Sequence, residues 1–423
     1  MSDIKQDPAS DSETTIETSD QATPPPPPDG GMTAWLQVLG GHLLCFNSWG
    51  IINTFGAYET FYETDFMSGR TSSEISWIGT VQGFFLIVLG IIGGPIFDRG
   101  YFRHLLVTGT FLVVFGMMMT SLATTYWQVF LGQGICVGLG AGCLFLPSVA
   151  IVATYFSRRR AFATGVTVSG GSIGSVIYPI VFRRLQPSIG FPWATRVIGF
   201  IALATLTGAI AVLRTRLPPP KRARSMIDSA AFRSLPFVLF SIGSFFAFMG
   251  LYIPFFYVIF YAQSKAGMDE SLAFYMLSLL NGSSVFGRII PGLLADRFGS
   301  LQIMVLCTAV SALLSYAWIA IHDPAGLIVF CLLYGFFSGA VVSLPASVLA
   351  RLPPDLGRVG TWMGMSFLVL SFGFLIGNPI AGAMIHVSEG EFSHGFVFAA
   401  TMVTAAGVIF ALVHFIQLRI ARD

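Results

Sequence analysis

Arg288 is the residue in this chain whose position most needs a chemical explanation. It stands eight positions before Asp296 inside an apolar stretch. At 1.5 Å per helical residue its guanidinium lies ~12 Å into the hydrocarbon layer, beyond easy snorkelling. A charge at mid-bilayer costs from about 2.5 to above 10 kcal/mol, and every value in that range excludes a lipid-facing guanidinium. No Asp or Glu is expected at comparable depth, Glu59 falling near the outer end of the first apolar stretch. Without a fixed counter-ion, a guanidinium is suited to an organic anion, which it holds through paired hydrogen bonds. The competing account has backbone carbonyls and water neutralise it where Gly287 and Pro291 loosen the helix.

Other polar groups inside apolar stretches are candidates for the same cavity wall: His42 and Asn47 in the first, Asn281 in the eighth and Asn378 in the eleventh. Tyr257, Tyr261 and Trp362 offer aromatic cover for an apolar substrate body. His42, with an unperturbed pKa near 6.5, and Glu59 are candidate proton carriers; a hydrogen bond between helices is the alternative role for His42. The five cysteines show neither CxxC nor Cys/His spacing, so no disulfide framework or zinc site is expected. No Walker motif, nucleophile elbow or HExxH occurs. The chain is read as a non-enzyme without cofactor or metal.

The elements that must position these residues follow from composition. Of 423 residues 54% are hydrophobic and 10% charged, with a mean hydropathy of +0.75, which places the chain in a lipid bilayer. Apolar stretches of about 20 residues recur, each long enough to cross ~30 Å of hydrocarbon. Twelve are expected, near 34–58, 75–97, 104–123, 127–154, 161–182, 194–213, 234–261, 271–295, 301–321, 325–349, 360–385 and 394–418. With a cytosolic N-terminus, seventeen of the 23 Lys and Arg fall on the cytosolic side, five on the other, and Arg288 within a span. That bias predicts both termini in the cytosol. A net charge of +2 excludes a nucleic-acid partner.

The two halves of the chain repeat. Gly94, Asp98 and Arg99 after the second stretch read G-x-x-x-D-R, as do Gly292, Asp296 and Arg297 after the eighth. At the same offset Leu146-Pro147 matches Leu344-Pro345, and Arg160 matches Arg358. Three sites in one register argue for duplicated six-helix halves with a binding site between them. The expected fold is all-α: twelve transmembrane helices in two pseudo-symmetric six-helix bundles. The expected domains are an acidic, Pro-rich disordered tail (1–31), a first bundle (32–213), a basic linker (214–233), a second bundle (234–418) and a short tail (419–423).

The repeated G-x-x-x-D-R loops resemble the signature of the major facilitator superfamily. Two further stretches resemble its monocarboxylate porter branch in fungal form: Asp29-Gly30-Gly31 with Trp35, and Tyr155 to Arg160 continuing through Ala163, Gly165, Ser169, Gly170 and Gly174. The resemblance implies the major facilitator fold and an anion-binding arginine at position 288. It also implies a gating role for Asp98, Arg99, Asp296, Arg297, Arg160 and Arg358, whose contacts form in one conformation and break in the other. Animal members carry a proton-coupling aspartate where this chain has Ser284, and a lysine near Gly56. Their absence argues against that route of proton symport and leaves Ser284 as a substrate-contact candidate.

The expected function is secondary active transport of an organic anion or acidic small molecule by alternating access, with export of a fungal secondary metabolite favoured. The alternatives are import of a monocarboxylate or small vitamin, and a non-transporting nutrient receptor. The expected partners are the substrate, the lipid bilayer and, through coupling, the proton. The expected location is the plasma membrane, with the vacuolar membrane as the alternative.

Overall fold

The computed structural model describes residues 27–216, 227–353, 358–385 and 390–420, apart from the side chain of Asp98. Most of the 1–31 tail and the middle of the 214–233 linker lie outside these residues. Among those described the secondary structure is helical, with no strand.

Among the described residues ten helices are long and apolar enough to cross a membrane. One of them, Arg160–Val212, spans 53 residues, about twice what a bilayer needs. It breaks at Gly190, whose φ of 77° and ψ of 164° lie in a region that side chains other than hydrogen disfavour. We therefore number it as α5 (160–189) and α6 (191–212). A further helix, Met32–Asn53, continues past Thr54 as Phe55–Phe61 and a wide turn to Phe66; together they form α1. The others are α2 (Ser72–Asp98), α3 (Phe102–Ser121), α4 (Tyr126–Tyr155), α7 (Leu235–Ser264), α8 (Glu270–Phe298), α9 (Ser300–Trp318), α10 (Pro324–Leu349), α11 (Val359–Met384) and α12 (Ser393–Ile420). Numbered this way, the described residues form twelve helices, six on each side of the 214–233 segment. Helix replaces the loop expected across 183–193, and α1 runs several residues beyond the expected 58.

Local sequence explains where helices begin. Thr71 and Glu74 form a reciprocal capping box for α2. The Asp269 carboxylate accepts from the N–H of Ser271 and Leu272 to start α8. Asp323 accepts from Gly326 N–H ahead of Pro324 to start α10. Each side chain satisfies donors that the first helical turn leaves unpaired. Inside lipid, packing rather than hydrophobic transfer holds helices together, so glycines set their approach. A Cβ added to Gly174 of α5 would collide with the Phe46 carbonyl of α1, and one added to Gly373 of α11 with the Phe245 carbonyl of α7. Both contacts recur at a displacement of 199 (245 less 46, 373 less 174), so the duplication extends to helix packing.

The halves meet along α5 with α8, α2 with α11, and α1 with α7. The α5–α8 seam runs from Arg183, bonded to the Ser271 carbonyl, to Asp296, which accepts from Phe162 N–H. We call the end of the molecule near Asp296 and Arg158–Arg160 the basic end, and the end near Glu59, Glu63 and Glu270 the acidic end.

Candidate functional site between the two halves

Arg288 lies midway along the α5–α8 seam and is 3% exposed. Its Nη1 donates to the Val168 carbonyl at 2.8 Å, and its Nε to Ser284 Oγ at 3.3 Å. The Ser172 hydroxyl of α5 donates to Ser284 Oγ at 3.2 Å, joining the halves beneath the guanidinium. Among the described residues no Asp or Glu pairs with Arg288, and no acceptor is recorded for Nη2. The backbone account from the sequence is thus met in part, by one carbonyl, while much of the five-donor fork stays uncommitted.

Several buried polar atoms at the boundary between the halves are also without partners. Trp49 of α1 stacks on Tyr252 of α7 at 6.0 Å, across the boundary between halves. Neither the Trp49 indole N–H nor the Tyr252 hydroxyl has a hydrogen-bond partner. Tyr252 lies within electrostatic reach of Arg288, as does Cys45. Gly171 admits both Trp49 and the guanidinium, since a Cβ there would meet Trp49 Cβ at 2.7 Å and Arg288 Nη1 at 3.4 Å. Asn281, two turns before Arg288 on α8, donates to the Leu277 carbonyl at 3.0 Å but leaves its Oδ1 orphaned. Asn378 Oδ1 on α11 is orphaned too, one turn from Phe374, which packs edge-on against Tyr252 at 4.8 Å. Buried polar atoms are normally satisfied, so unpartnered donors and acceptors at the boundary between the halves are candidates for contact with a ligand. Trp49 and Tyr252 were not singled out in the sequence because 14% of the chain is aromatic. Only their stacking across the boundary distinguishes them.

The structure bonds Arg288 to Ser284, keeps Asn281 two turns away on the same helix, and places the other candidates elsewhere. Asn47 is saturated inside the first half, donating to Leu43 O and Thr205 Oγ1 and accepting from the Tyr178 hydroxyl at 2.6 Å. Tyr261 donates to the Ile321 carbonyl and packs on Trp318 and Phe396 at the acidic end of α7. Trp362 stands at the other end of that half, against Phe237, with its indole N–H bonded to Asp228 at 3.0 Å. These three are helix-packing contacts, because each polar atom already has a protein partner. His42 Nδ1 lies 2.9 Å from the Val166 carbonyl, the interhelical bond that was the alternative to proton carriage. Glu59 is 1% exposed in α1 near the acidic end.

Of the gating candidates, Asp296 makes a bond between halves. Its Oδ2 accepts from Phe162 N–H at 3.1 Å, in the first turn of α5, a helix with no side-chain cap of its own. A carboxylate from one bundle thereby caps the positive end of a helix in the other. Arg297 lies over the Phe298 ring at 5.4 Å, Arg160 donates to Phe156 O at 3.4 Å, and Arg99 is exposed. The side chain of Asp98 lies outside the described residues.

Two latches were missed in the sequence. Asp29 Oδ1 accepts from the N–H of Ser157 and Arg158 at 2.5 and 2.9 Å, and its own N–H donates to Tyr155 O at 3.0 Å. Trp35 packs edge-on against Phe156 at 5.3 Å. The two stretches that carry the porter resemblance therefore grip one another. Asp228, displaced from Asp29 by 199, pairs with Arg358 at 3.3 Å and with Trp362 at the start of α11. The Ser157 amide holds the Asp29 carboxyl below the usual carboxylate range, and the Trp362 indole does the same for Asp228. An Asp with different neighbours in each half gives no repeat that a sequence comparison would register.

At the acidic end a pocket of about 130 Å³ opens between α1, α5, α7 and α8, with Phe61, Phe182 and Phe274 beside Arg183, Asp65 and Glu270.

Twelve helices in two repeated bundles, with open polar groups at their boundary and a carboxylate of one capping a helix of the other, define a multi-pass membrane carrier. The sequence profile of the Major Facilitator Superfamily matches residues 38–355 and 282–419, and the chain belongs to that family. It is similar to the MFS-type transporter dbaD of Emericella nidulans, 45% identical over 385 residues covering 91% of this chain and 86% of the relative. It is similar also to the aspyridones efflux protein apdF of Emericella nidulans, 40% identical across 90% of this chain and 77% of the relative. The agnestins efflux protein AgnL12 of Paecilomyces divaricatus is 38% identical across 83% and 81%. The protein is a transporter of small molecules, not an enzyme.

Proposed function

We propose that this protein exports a small organic acid, an acidic secondary metabolite, from the cytosol across the plasma membrane. The carrying observation is Arg288, a buried guanidinium with uncommitted donors and no carboxylate partner among the described residues. An acid group fills that position through two parallel N–H bonds. The remaining open groups, Trp49 Nε1, the Tyr252 hydroxyl and the Asn281 and Asn378 carbonyls, suit hydroxyl and carbonyl substituents on an aromatic or polyketide-like body. The efflux function in the names of two relatives supports the outward direction. The meeting of the Asp29 and Tyr155–Arg160 stretches supports the monocarboxylate porter branch.

In this reading the basic end faces the cytosol, as the bias of Lys and Arg requires. The bundles 32–213 and 234–418 rock about the Arg288 level, with 214–233 joining them. The Asp296 cap on α5 holds the basic end closed and lets go when that end opens to load substrate. Asp98, Arg99, Arg160, Arg297 and Arg358 border the same movement, which requires contacts present in one state and absent in the other.

The test compares organic acids in cells and medium with and without the gene. Loss of an acidic compound from the medium, with its retention in the cells, is expected on deletion. An unchanged distribution of every acidic metabolite refutes export, and depletion of an external acid only when the gene is present replaces it with import.

A further inference from the structure

The pocket at the acidic end stands apart from Arg288 and has a chemistry of its own. Its volume of about 130 Å³ is bounded by α1 and α5 of the first half and by α7 and α8 of the second. An apolar cavity of about 150 Å³ takes a benzene ring, so this one admits a single ring with a short stem reaching toward the opening. Phe182 is 3% exposed, its ring centre 4.1 Å from that of Tyr58, and Phe61 meets it edge-on at 6.1 Å. Phe274, on the α8 side, is buried as well. Rings held by their own packing give the site walls that exist before a ligand arrives.

Charge decides which ligand suits those walls. The lining carries two acids, Asp65 of α1 and Glu270 of α8, against one base, Arg183 of α5. Arg183 is already engaged: its Nη1 donates to the Ser271 carbonyl at 3.2 Å, and its guanidinium carbon lies 4.4 Å from the centre of the Phe274 ring. The acids are held far more loosely. The Glu270 side chain is 84% exposed and comes no closer to Arg183 than 3.7 Å. Asp65 is exposed and forms no ion pair among the described residues. An exposed pair at that distance contributes little, so Glu270 can turn to a ligand without much loss. The pocket therefore has a surplus of negative charge beside aromatic faces, and Arg183 on Phe274 shows a cation already lodged against one of them. An organic acid suits it poorly, because two carboxylates repel it and the single base already has a carbonyl and a ring.

We propose that this pocket binds a small aromatic ammonium ion, with its ring among Phe61, Phe182 and Phe274 and its charged head toward Asp65 and Glu270. The site is separate from the one assigned to the transported acid and selects the opposite charge. Its walls come from both halves, so an occupant ties α1 and α5 to α7 and α8. Binding to this arrangement stabilises it by mass action and opposes any movement that parts the bundles at the acidic end.

The test uses the purified full-length protein in lipid nanodiscs and two probes of matched shape, phenethylammonium and hydrocinnamate. Binding is followed by saturation-transfer difference NMR and by the melting temperature as each probe is titrated. The ammonium is expected to bind saturably and to raise the melting temperature, and the carboxylate to do neither. Asp65→Asn combined with Glu270→Gln, two changes at exposed side chains, should weaken ammonium binding by about 2- to 30-fold, as for two exposed ion pairs. Thr64→Phe, which brings a ring into the lining from an exposed position, should abolish saturable binding and leave the melting temperature of the ligand-free protein near that of the wild type. Ammonium binding that is absent, or that survives both changes unaltered, overturns the proposal. Preferential binding of hydrocinnamate, lost in Arg183→Gln, overturns it too and gives the pocket to the acid. Export is judged separately by the metabolite comparison: a protein that exports an acid without binding phenethylammonium fails this site alone, and one that binds it without exporting any acid fails export alone.

Discussion

Replacing Arg288 by Ala tests the central site most directly. The side chain is buried, and its Nη1 and Nε bond to Val168 O at 2.8 Å and Ser284 Oγ at 3.3 Å. Under the proposed reading, its loss removes the guanidinium donors offered to the substrate acid. Truncating one partner of a buried, hydrogen-bonded charge pair costs about 2–5 kcal/mol, and with 1.4 kcal/mol per tenfold that is roughly a 30- to 4,000-fold loss in affinity. Folding should suffer less. The variant sheds a buried charge and leaves one carbonyl, already in a helix, without its extra donor, a cost of about 1–3 kcal/mol offset by the relief of that charge. Arg288→Lys keeps the charge but not the planar fork, and should retain partial binding. The assay is efflux of the acid identified by metabolite comparison from loaded vesicles, with thermal unfolding of the purified variants as the folding control. Near-normal efflux by Arg288→Ala refutes the anion site, whatever the behaviour of Arg288→Lys.

Three further outcomes are expected. Asp296→Ala removes the cap on α5 supplied across the halves, a loss of about 0.5–2 kcal/mol; thiol labelling of Cys residues introduced next to Phe162 should accelerate from the basic end, and unchanged labelling would count against the gate. Gly174→Leu forces a side chain toward the Phe46 carbonyl, where even a Cβ would collide; overpacking of this kind costs about 1–3 kcal/mol and should lower the melting temperature in detergent, whereas the same change at Gly208, which has open space around it, should not. Asp29 has its pKa depressed by the Ser157 amide, so its contribution to stability is present above the unfolded value of about 3.9 and disappears as pH falls through the lower folded value. Asp29→Asn, which tolerates the local φ of 52°, should therefore melt below the wild type at neutral pH and converge with it under acid conditions, as followed by thermal unfolding from neutral pH down to about 3.

How far the sequence could be read depended on whether a feature is local. The spans were legible because a bilayer demands uninterrupted apolar length from each helix separately. Their ends were less so: α5 continues through Arg183 and Arg184 to Gly190, because those arginines bond to α8 and Tyr275 rather than to solvent alone. The duplicated G-x-x-x-D-R loops were visible as residues in register. The 199-residue repeat of helix contacts was not, since it depends on which carbonyl a glycine meets.

The candidate site divides in the same way. Arg288 was identifiable from the chain alone because the cost of a charge at that depth is indifferent to its neighbours, and Asn281 and Ser284 share its helix, so helical geometry carries them with it. Trp49, Tyr252, Asp29 and Asp228 acquire their roles from partners tens or hundreds of residues away. Asn47, Tyr261 and Trp362, polar or aromatic in apolar stretches like the others, already bond to neighbours that no spacing reveals. From its amino acids alone this protein could be known as a lipid-embedded, twofold-repeated carrier with an arginine at membrane depth for which no acidic partner was expected. Only the packing of the helices decided which polar atoms are satisfied and which are left without a partner, because hydrogen-bond satisfaction is a property of pairs brought together in space.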